Sequence, residues 1–152
     1  MPQTEMTCHS PATEQAPDGA TRIALIGSPN GGKTSIFNQL TGLHAKTGNY
    51  PGVTVSRSEG VARIHDHTFA IEDLPGTYSL SPISPDEQVV VDVLDGRMDQ
   101  VSAPDALVVV ADATALRRSL LLLAEVLPRH LPTAVVVTMT DEPVSYTHLT
   151  LP

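Results

Sequence analysis

Short apolar runs alternate along the chain with stretches of helical periodicity, which predicts a succession of strands and helices. A first strand is expected over about 22–26, and the helix after it should end at Gly42, a residue suited to the position that follows a helix. The buried face of that helix should consist of Ile36, Phe37 and Leu40. Residues 43–53 follow neither period and contain glycine and proline, so we expect a mobile loop there.

The middle of the chain predicts a hairpin followed by a helix. Two strands with modest alternation are expected over 61–64 and 68–71, joined through His65-Asp66-His67. The two histidines fit a solvated turn better than a metal site. A helix is predicted to begin at Ser84-Pro85-Asp86-Glu87 and to run to about Leu94. Its start has a capping serine, a proline at the first helical position and a glutamate that completes a capping box.

The second half predicts a strand, a helix and a further strand. The continuous apolar run 106–111 is typical of a buried parallel strand, and Asp112 can cap the helix after it. A stripe of leucines at helical spacing is interpreted as core rather than as a cofactor site: Leu116, Leu120, Leu123 and Leu127. A second buried strand is expected over 134–137. The alternation predicts an α/β fold, a mostly parallel sheet with helices on both faces.

Composition narrows the class of protein. The chain has 152 residues, 41% of them apolar, which suffices for one domain with a core. The net charge of −8 argues against nucleic acid as a partner and against a basic membrane-binding face. The N-terminus lacks the apolar core of a signal peptide, and no apolar run approaches the roughly 20 residues that span a bilayer. We therefore expect this chain to be soluble and cytosolic.

The N-terminal residues 1–20 lack periodicity and are predicted to be a disordered leader. Cys8 is the single cysteine, so the chain has no intrachain disulfide. The dipeptide Cys8-His9 does not make a closed metal site, because two ligands are too few.

The junction between the first strand and the first helix carries the strongest chemical signal. It fits G-x-x-x-x-G-K-[ST], the phosphate-binding P-loop, and reads Gly27-Ser28-Pro29-Asn30-Gly31-Gly32-Lys33-Thr34. Its backbone N–H groups and the N-terminus of the next helix, which continues with Ser35, form an anion site. Lys33 would reach the β- and γ-phosphates, and the Thr34 hydroxyl would bind Mg²⁺.

Two later motifs favour a switch protein among the P-loop classes. Thr54, in the predicted mobile loop with Gly52 and Val53, can complete the coordination of Mg²⁺ and sense the γ-phosphate. Asp73-Leu74-Pro75-Gly76 fits D-x-x-G, in which the aspartate holds Mg²⁺ through water and the glycine N–H bonds the γ-phosphate. The candidate catalytic residues are Lys33, Thr54 and Gly76. Ras-type GTPases have a water-orienting glutamine where this chain has Thr77.

The last apolar strand ends in a candidate base-recognition motif. Thr138-Met139-Thr140-Asp141 stands where N/T-K-x-D is expected, and Thr138 and Met139 depart from the usual Asn and Lys. The Asp141 carboxylate would accept from the N1 and N2 protons of guanine, a pair of donors that adenine lacks. The set of motifs therefore favours GTP and GDP over adenine nucleotides.

Over about 22–141 the sequence resembles the G domain of FeoB-type ferrous iron transporters. The residues that carry the resemblance are the P-loop with its continuation to Gly42, then Gly48-Asn49-Tyr50-Pro51-Gly52-Val53-Thr54-Val55, then Asp73-Leu74-Pro75-Gly76-Thr77-Tyr78-Ser79-Leu80, then Ser84-Pro85-Asp86-Glu87 and 112–120. The resemblance implies a P-loop NTPase fold and a GTPase domain at the N-terminus of a membrane protein that imports Fe²⁺. It further implies Mg²⁺ with the nucleotide and a K⁺ ion bound by Asn30. That ion would supply the positive charge that an arginine finger supplies elsewhere, which fits the absence of the glutamine.

The resemblance also implies where the domain works and what it contacts. The expected location is the cytoplasmic face of the bacterial inner membrane, and the expected partner is the transmembrane portion of the same protein, with an oligomer possible. Residues 21–142 would be a truncated G domain that is incomplete at its C-terminus, whereas 143–152 form a foreign or unstructured tail in which Pro143 disfavours helix.

Two alternatives stay open at this point. One is a soluble ribosome-assembly GTPase that binds ribosomal RNA, which the acidic charge disfavours. The other is a truncated domain that binds nucleotide weakly. An open sheet edge, where a further strand should pair, makes the second alternative plausible and predicts aggregation.

Overall fold

Six strands form one sheet in the computed structural model, which describes residues 16–141. The strands are β1 Thr21–Gly27, β2 Ala45–Asn49, β3 Ser56–Ile64, β4 His67–Asp73, β5 Ala106–Asp112 and β6 Thr133–Thr138. The helices are α1 Lys33–Thr41, α2 Pro85–Leu94 and α3 Leu116–Val126, with single 3₁₀ turns at Ala113–Ala115 and Leu127–Arg129. Cys8, His9 and the tail 143–152 lie outside the described residues.

The sheet is mostly parallel, which confirms the predicted fold class. Its order is β2-β3-β4-β1-β5-β6. The central strand β1 runs parallel to β4 and β5, and β5 runs parallel to β6. Among the described strands, β3 pairs antiparallel with β2 on one side and with β4 on the other. The predicted hairpin is therefore confirmed, and its strands are longer than the alternation indicated.

Helices cover both faces because buried side chains of β1 point alternately to each side. Leu25 packs with Phe37 of α1 on one face. Ile26 packs on the other face with α2 and α3, through Val90 and Leu122. None of the helices in the described part of the chain has both the length and the apolarity to cross a bilayer.

The predicted ends of two helices are confirmed. Gly42 follows α1 with φ of 62°, and its N–H bonds the Asn38 carbonyl. The Ser84 hydroxyl accepts from the Glu87 N–H at 3.3 Å and so caps α2. The Glu87 carboxylate bonds the Ile83 N–H, at 2.9 Å, instead of the Ser84 N–H that an ideal capping box would use.

The prediction of a loop throughout 43–53 is wrong, because Ala45–Asn49 forms β2. This strand lies at the edge of the sheet, and its last four residues are exposed. A strand with both faces in water needs no alternation of apolar and polar residues, so the pattern carried no signal.

The leucine stripe of α3 was also misassigned to the core. Leu116, Leu120 and Leu127 are 43%, 50% and 54% exposed, and of the four only Leu123 packs against the core. The buried face consists of Ser119, Leu122 and Val126. Leucine occupies four consecutive positions, 120–123, so several faces of this helix are apolar and spacing alone cannot choose between them.

The strand expected over 134–137 is present as β6, but the prediction that it is buried is wrong. Val135 and Val137 are 45% and 51% exposed. Among the described residues β6 pairs with β5 alone and forms an edge of the sheet.

Candidate functional site

The P-loop turns at the carboxyl end of the central strand. The Gly31 N–H bonds the Ser28 carbonyl at 3.2 Å, and Gly32 has φ of +84°, a conformation that favours glycine. Gly32 is also the N-cap of α1, and no side chain of the described residues caps this helix. The first N–H groups of α1 are therefore available to an anion.

A cleft of about 500 Å³ lies above this turn. Its walls bring together residues from three of the predicted motifs, namely Ser28, Pro29, Asn30, Gly32, Lys33, Thr34, Ser35, Gly76 and Met139. Asn30 is exposed and has φ of 60°. The P-loop, the D-x-x-G motif and the candidate base-recognition motif thus meet at one place.

Asp73 connects two P-loop side chains within the cleft. Its carboxylate pairs with the Lys33 ammonium and accepts from the Thr34 hydroxyl at 3.2 Å. Both partners of the ion pair are nearly buried, with side chains 10% exposed. A hydroxyl and a carboxylate this close are oxygen donors of the kind that Mg²⁺ prefers.

The D-x-x-G segment continues alongside β1 into the P-loop. The Leu74 N–H bonds the Leu25 carbonyl at 3.2 Å, and the Thr77 N–H bonds the Gly27 carbonyl at 2.9 Å. The Leu74 side chain is completely buried in the core, whereas Pro75 is partly exposed. The segment therefore reaches the cleft because its backbone is held to β1.

Glycine is required at position 76 by close packing. A Cβ added to Gly76 would lie 2.8 Å from the backbone nitrogen and Cα of Pro29. Real Cβ atoms do not approach so closely without displacing a neighbour. The backbone of Gly76 thus touches the P-loop directly.

The motif at the end of β6 contacts the P-loop through its first residue. The Thr138 hydroxyl donates to the Gly31 carbonyl at 2.6 Å. Met139 has φ of 56° and lines the cleft. Asp141 is exposed at the end of the described residues.

The structure does not bring Thr54 to the cleft of Lys33. Gly52, Val53 and Thr54 line a second cleft of about 660 Å³, which they share with residues that include Pro85 and Asp86 at the start of α2. The Tyr50 N–H bonds the Val55 carbonyl at 2.9 Å, so the loop is closed at its base.

A buried polar cluster beneath this loop escaped the sequence analysis. Glu72 is 4% exposed and accepts from the Tyr50 hydroxyl at 2.8 Å, from Arg57 at 3.1 Å and from Arg22 at 3.4 Å. Burial, followed by the adjacent Glu72 carboxylate, raises the pKa of Tyr50. A carboxylate within the apolar end of β4 was the signal that could have indicated the cluster.

Comparison with known proteins gives one consistent match. The model of the family described as ferrous iron transport protein B matches residues 21–148. The Fe(2+) transporter FeoB of Leptospira interrogans is 47% identical over 120 residues, which cover 79% of this chain and 16% of that protein. The Fe(2+) transporter FeoB of Salmonella typhimurium is 44% identical over 124 residues, covering 78% and 15%. The chain thus spans about one sixth of these relatives.

Solved structures of the same family have a similar fold. The G domain of the T. maritima FeoB iron transporter matches with a TM-score of 0.73 and 42% identity, over 81% of this chain and 74% of that one. A mutant of S. thermophilus NFeoB bound to GDP matches with a TM-score of 0.69 and 42% identity, over 80% and 45% of the two chains.

Proposed function

The chain belongs to the ferrous iron transport protein B family, and we propose that residues 21–142 are a G domain that binds GTP and hydrolyses it to GDP and phosphate. The observation that carries the proposal is the meeting of Lys33, Thr34 and Asp73 in the P-loop cleft. Solved relatives with this fold include one bound to GDP, which supports the choice of nucleotide.

The charged and polar groups of the cleft can be assigned to the phosphates, to Mg²⁺ and to K⁺. The N–H groups of Gly32, Lys33 and Thr34 would bind the phosphate oxygens. The Lys33 ammonium would leave Asp73 for the β- and γ-phosphates. Thr34 and Asp73 are the residues that would hold Mg²⁺, which neutralises phosphate charge. The amide oxygen of Asn30, exposed at the wall of the cleft, is the candidate K⁺ ligand.

Two residues would respond to the γ-phosphate. Gly76 already lies at the wall of the cleft, with its backbone close to Pro29. Thr54 would have to move from the second cleft, together with the tip of the loop between Tyr50 and Val55. We propose that this movement couples the bound nucleotide to the rest of the transporter.

Thr77 cannot replace the glutamine of Ras-type GTPases. Its side chain is fully buried, and its hydroxyl donates to the Ser79 carbonyl at 2.6 Å. Another group must therefore orient the attacking water. Separately, a K⁺ ion at Asn30 would supply positive charge that stabilises the transition state.

The names of the relatives support a proposal for the location of the domain. We propose that it works at the cytoplasmic face of the bacterial inner membrane, joined to a transmembrane portion that carries Fe²⁺. The chain's net charge of −8 makes an RNA-binding assembly factor the weaker candidate.

Steady-state hydrolysis of GTP and ATP, measured in KCl and in NaCl, tests the proposal. We expect turnover of GTP that KCl stimulates and that Lys33→Ala abolishes, because the ammonium acts on the transferred phosphate. Lys46→Ala is the matched control, since Lys46 is an exposed lysine of β2 outside the cleft. Equal turnover of ATP, or full activity of Lys33→Ala, would contradict the proposal.

A further inference from the structure

A carboxylate on α3 holds the segment that follows the D-x-x-G motif. The Glu125 carboxylate accepts from the Ser79 hydroxyl, at 3.1 and 3.0 Å to its two oxygens, and from the Leu80 N–H at 2.5 Å. The Arg118 guanidinium lies 5.2 Å from the centre of the Tyr78 ring. Two side chains of one helix therefore contact three consecutive residues of the segment.

The segment is fixed to the P-loop at its other end. The Thr77 N–H donates to the Gly27 carbonyl at 2.9 Å. Gly76 lies against Pro29 so closely that a Cβ would be 2.8 Å from the proline nitrogen. The attachment to the P-loop, at Gly76 and Thr77, is followed directly by the attachment to α3, which begins at Tyr78.

Internal hydrogen bonds leave the segment little freedom between its attachments. The buried Thr77 hydroxyl donates to the Ser79 carbonyl at 2.6 Å, and the Ser81 N–H donates to the Ser79 hydroxyl oxygen at 3.1 Å. A displacement of Gly76 would therefore be transmitted to the residues that contact α3. Conversely, release from α3 would loosen Gly76.

We propose that Glu125 is a positioning residue, which keeps Gly76 at the wall of the P-loop cleft by holding 78–80 against α3. The inference rests on the proposed function, because it concerns how the domain recognises GTP. GTP differs from GDP by the γ-phosphate, the group that the Gly76 N–H would contact. Loss of the Glu125 contacts should thus weaken the binding of GTP selectively, whereas a purely structural defect would weaken both nucleotides.

Equilibrium binding of GDP and of a non-hydrolysable GTP analogue tests the selectivity. In Glu125→Ala we expect affinity for the GTP analogue to fall about fivefold to tenfold and affinity for GDP to change less than about twofold. Glu125→Gln should fall between, because its amide oxygen still accepts one bond. Asp99→Asn, which removes the same charge from an exposed position between α2 and β5, should behave as wild type. Equal loss for both nucleotides, or no loss, would overturn the inference.

A second measurement does not require nucleotide. Hydrogen exchange of the Leu80 amide should be faster in Glu125→Ala than in wild type, and Ser79→Ala should add little to Glu125→Ala because the two groups share one contact. Unchanged exchange would overturn the inference.

If wild type bound neither nucleotide, the proposed function would fail and the inference with it. If wild type bound both nucleotides and Glu125→Ala kept the same preference for GTP, the inference would be contradicted and the proposed function would stand.

Discussion

Thr138 does more than occupy the first position of the base-recognition motif. Its hydroxyl donates to the Gly31 carbonyl at 2.6 Å and is part-buried. Val has nearly the same shape but cannot donate, so Thr138→Val should leave a P-loop carbonyl without its partner. We expect a loss of about 1 kcal/mol in the free energy of unfolding and a parallel loss of GDP affinity.

Thermal unfolding and GDP titration measure the two effects of Thr138→Val. The control is Thr138→Ser, which retains the hydroxyl and should keep both values close to wild type. A valine variant that bound GDP as tightly as the serine variant would show that the bond does not support the P-loop.

The Tyr50 hydroxyl is the neutral donor of an otherwise charged cluster. It is buried with its ring and donates to Glu72 at 2.8 Å. Tyr50→Phe removes one of the donors to a nearly buried carboxylate, and we expect the free energy of unfolding to fall by about 1–2 kcal/mol. Chemical denaturation measures this change.

Tyr78→Phe serves as the matched control for Tyr50→Phe. Tyr78 is 45% exposed, and its ring rather than its hydroxyl makes the contact with Arg118. Its substitution should change stability by less than about 0.5 kcal/mol. Equal effects of the two substitutions would mean that the buried hydroxyl contributes nothing.

At the residue scale, short motifs indicated which side chains belong to the site, and their chemical roles stay predictions. The structure brings Lys33 and Thr34 of the P-loop together with Asp73 of the D-x-x-G motif. The bonds from Tyr50 to Glu72 and from Ser79 to Glu125 join residues far apart in the chain. No local pattern could have predicted such pairs, because they depend on how the strands and helices pack.

At the scale of elements, periodicity predicted most strands and helices but not which surfaces are buried. β2 was missed because both of its faces are exposed, and the apolar β6 was assigned to the core although it is an edge strand. In α3 the abundance of leucine hid the true buried face, which includes Ser119. Burial depends on which elements pack against each other, and the sequence of a single element does not show which neighbours cover it.

The exposed valines of β6 bear on the prediction of aggregation. Val135 and Val137 are exposed on a strand that, within 16–141, pairs on one side only, an arrangement that favours strand addition between molecules. We expect Val137→Lys to reduce light scattering of concentrated solutions while the free energy of unfolding changes by less than about 0.5 kcal/mol.

Val109→Lys makes the same substitution at a buried position of the neighbouring strand β5. Val109 is completely buried beside Val135, so a lysine there should prevent folding. Scattering by Val137→Lys that equals wild type would show that the β6 edge is not where the molecules associate.

For the whole molecule, the order of the strands explains why distant motifs share one cleft. β1 and β4 are parallel neighbours, and β6 joins the same parallel set through β5, so Gly27, Asp73 and Thr138 stand at the same edge of the sheet. Ligands of open α/β sheets bind outside this carboxyl edge. The sequence predicted the mostly parallel α/β sheet, and parallel strands end at one edge, whereas the position of Thr54 depends on a loop that no such rule governs.

The most direct test of the account is displacement of a fluorescent GDP analogue from wild type and from Lys33→Ala. We expect GDP and GTP to displace the analogue and ADP and ATP to do so at least about tenfold more weakly, because loss of base recognition would cost about 1.4 kcal/mol. We also expect Lys33→Ala to bind the analogue far more weakly, because the cleft loses its buried cation. Displacement by ADP as effective as by GDP, or undiminished binding by Lys33→Ala, would contradict the claim that this cleft binds guanine nucleotide.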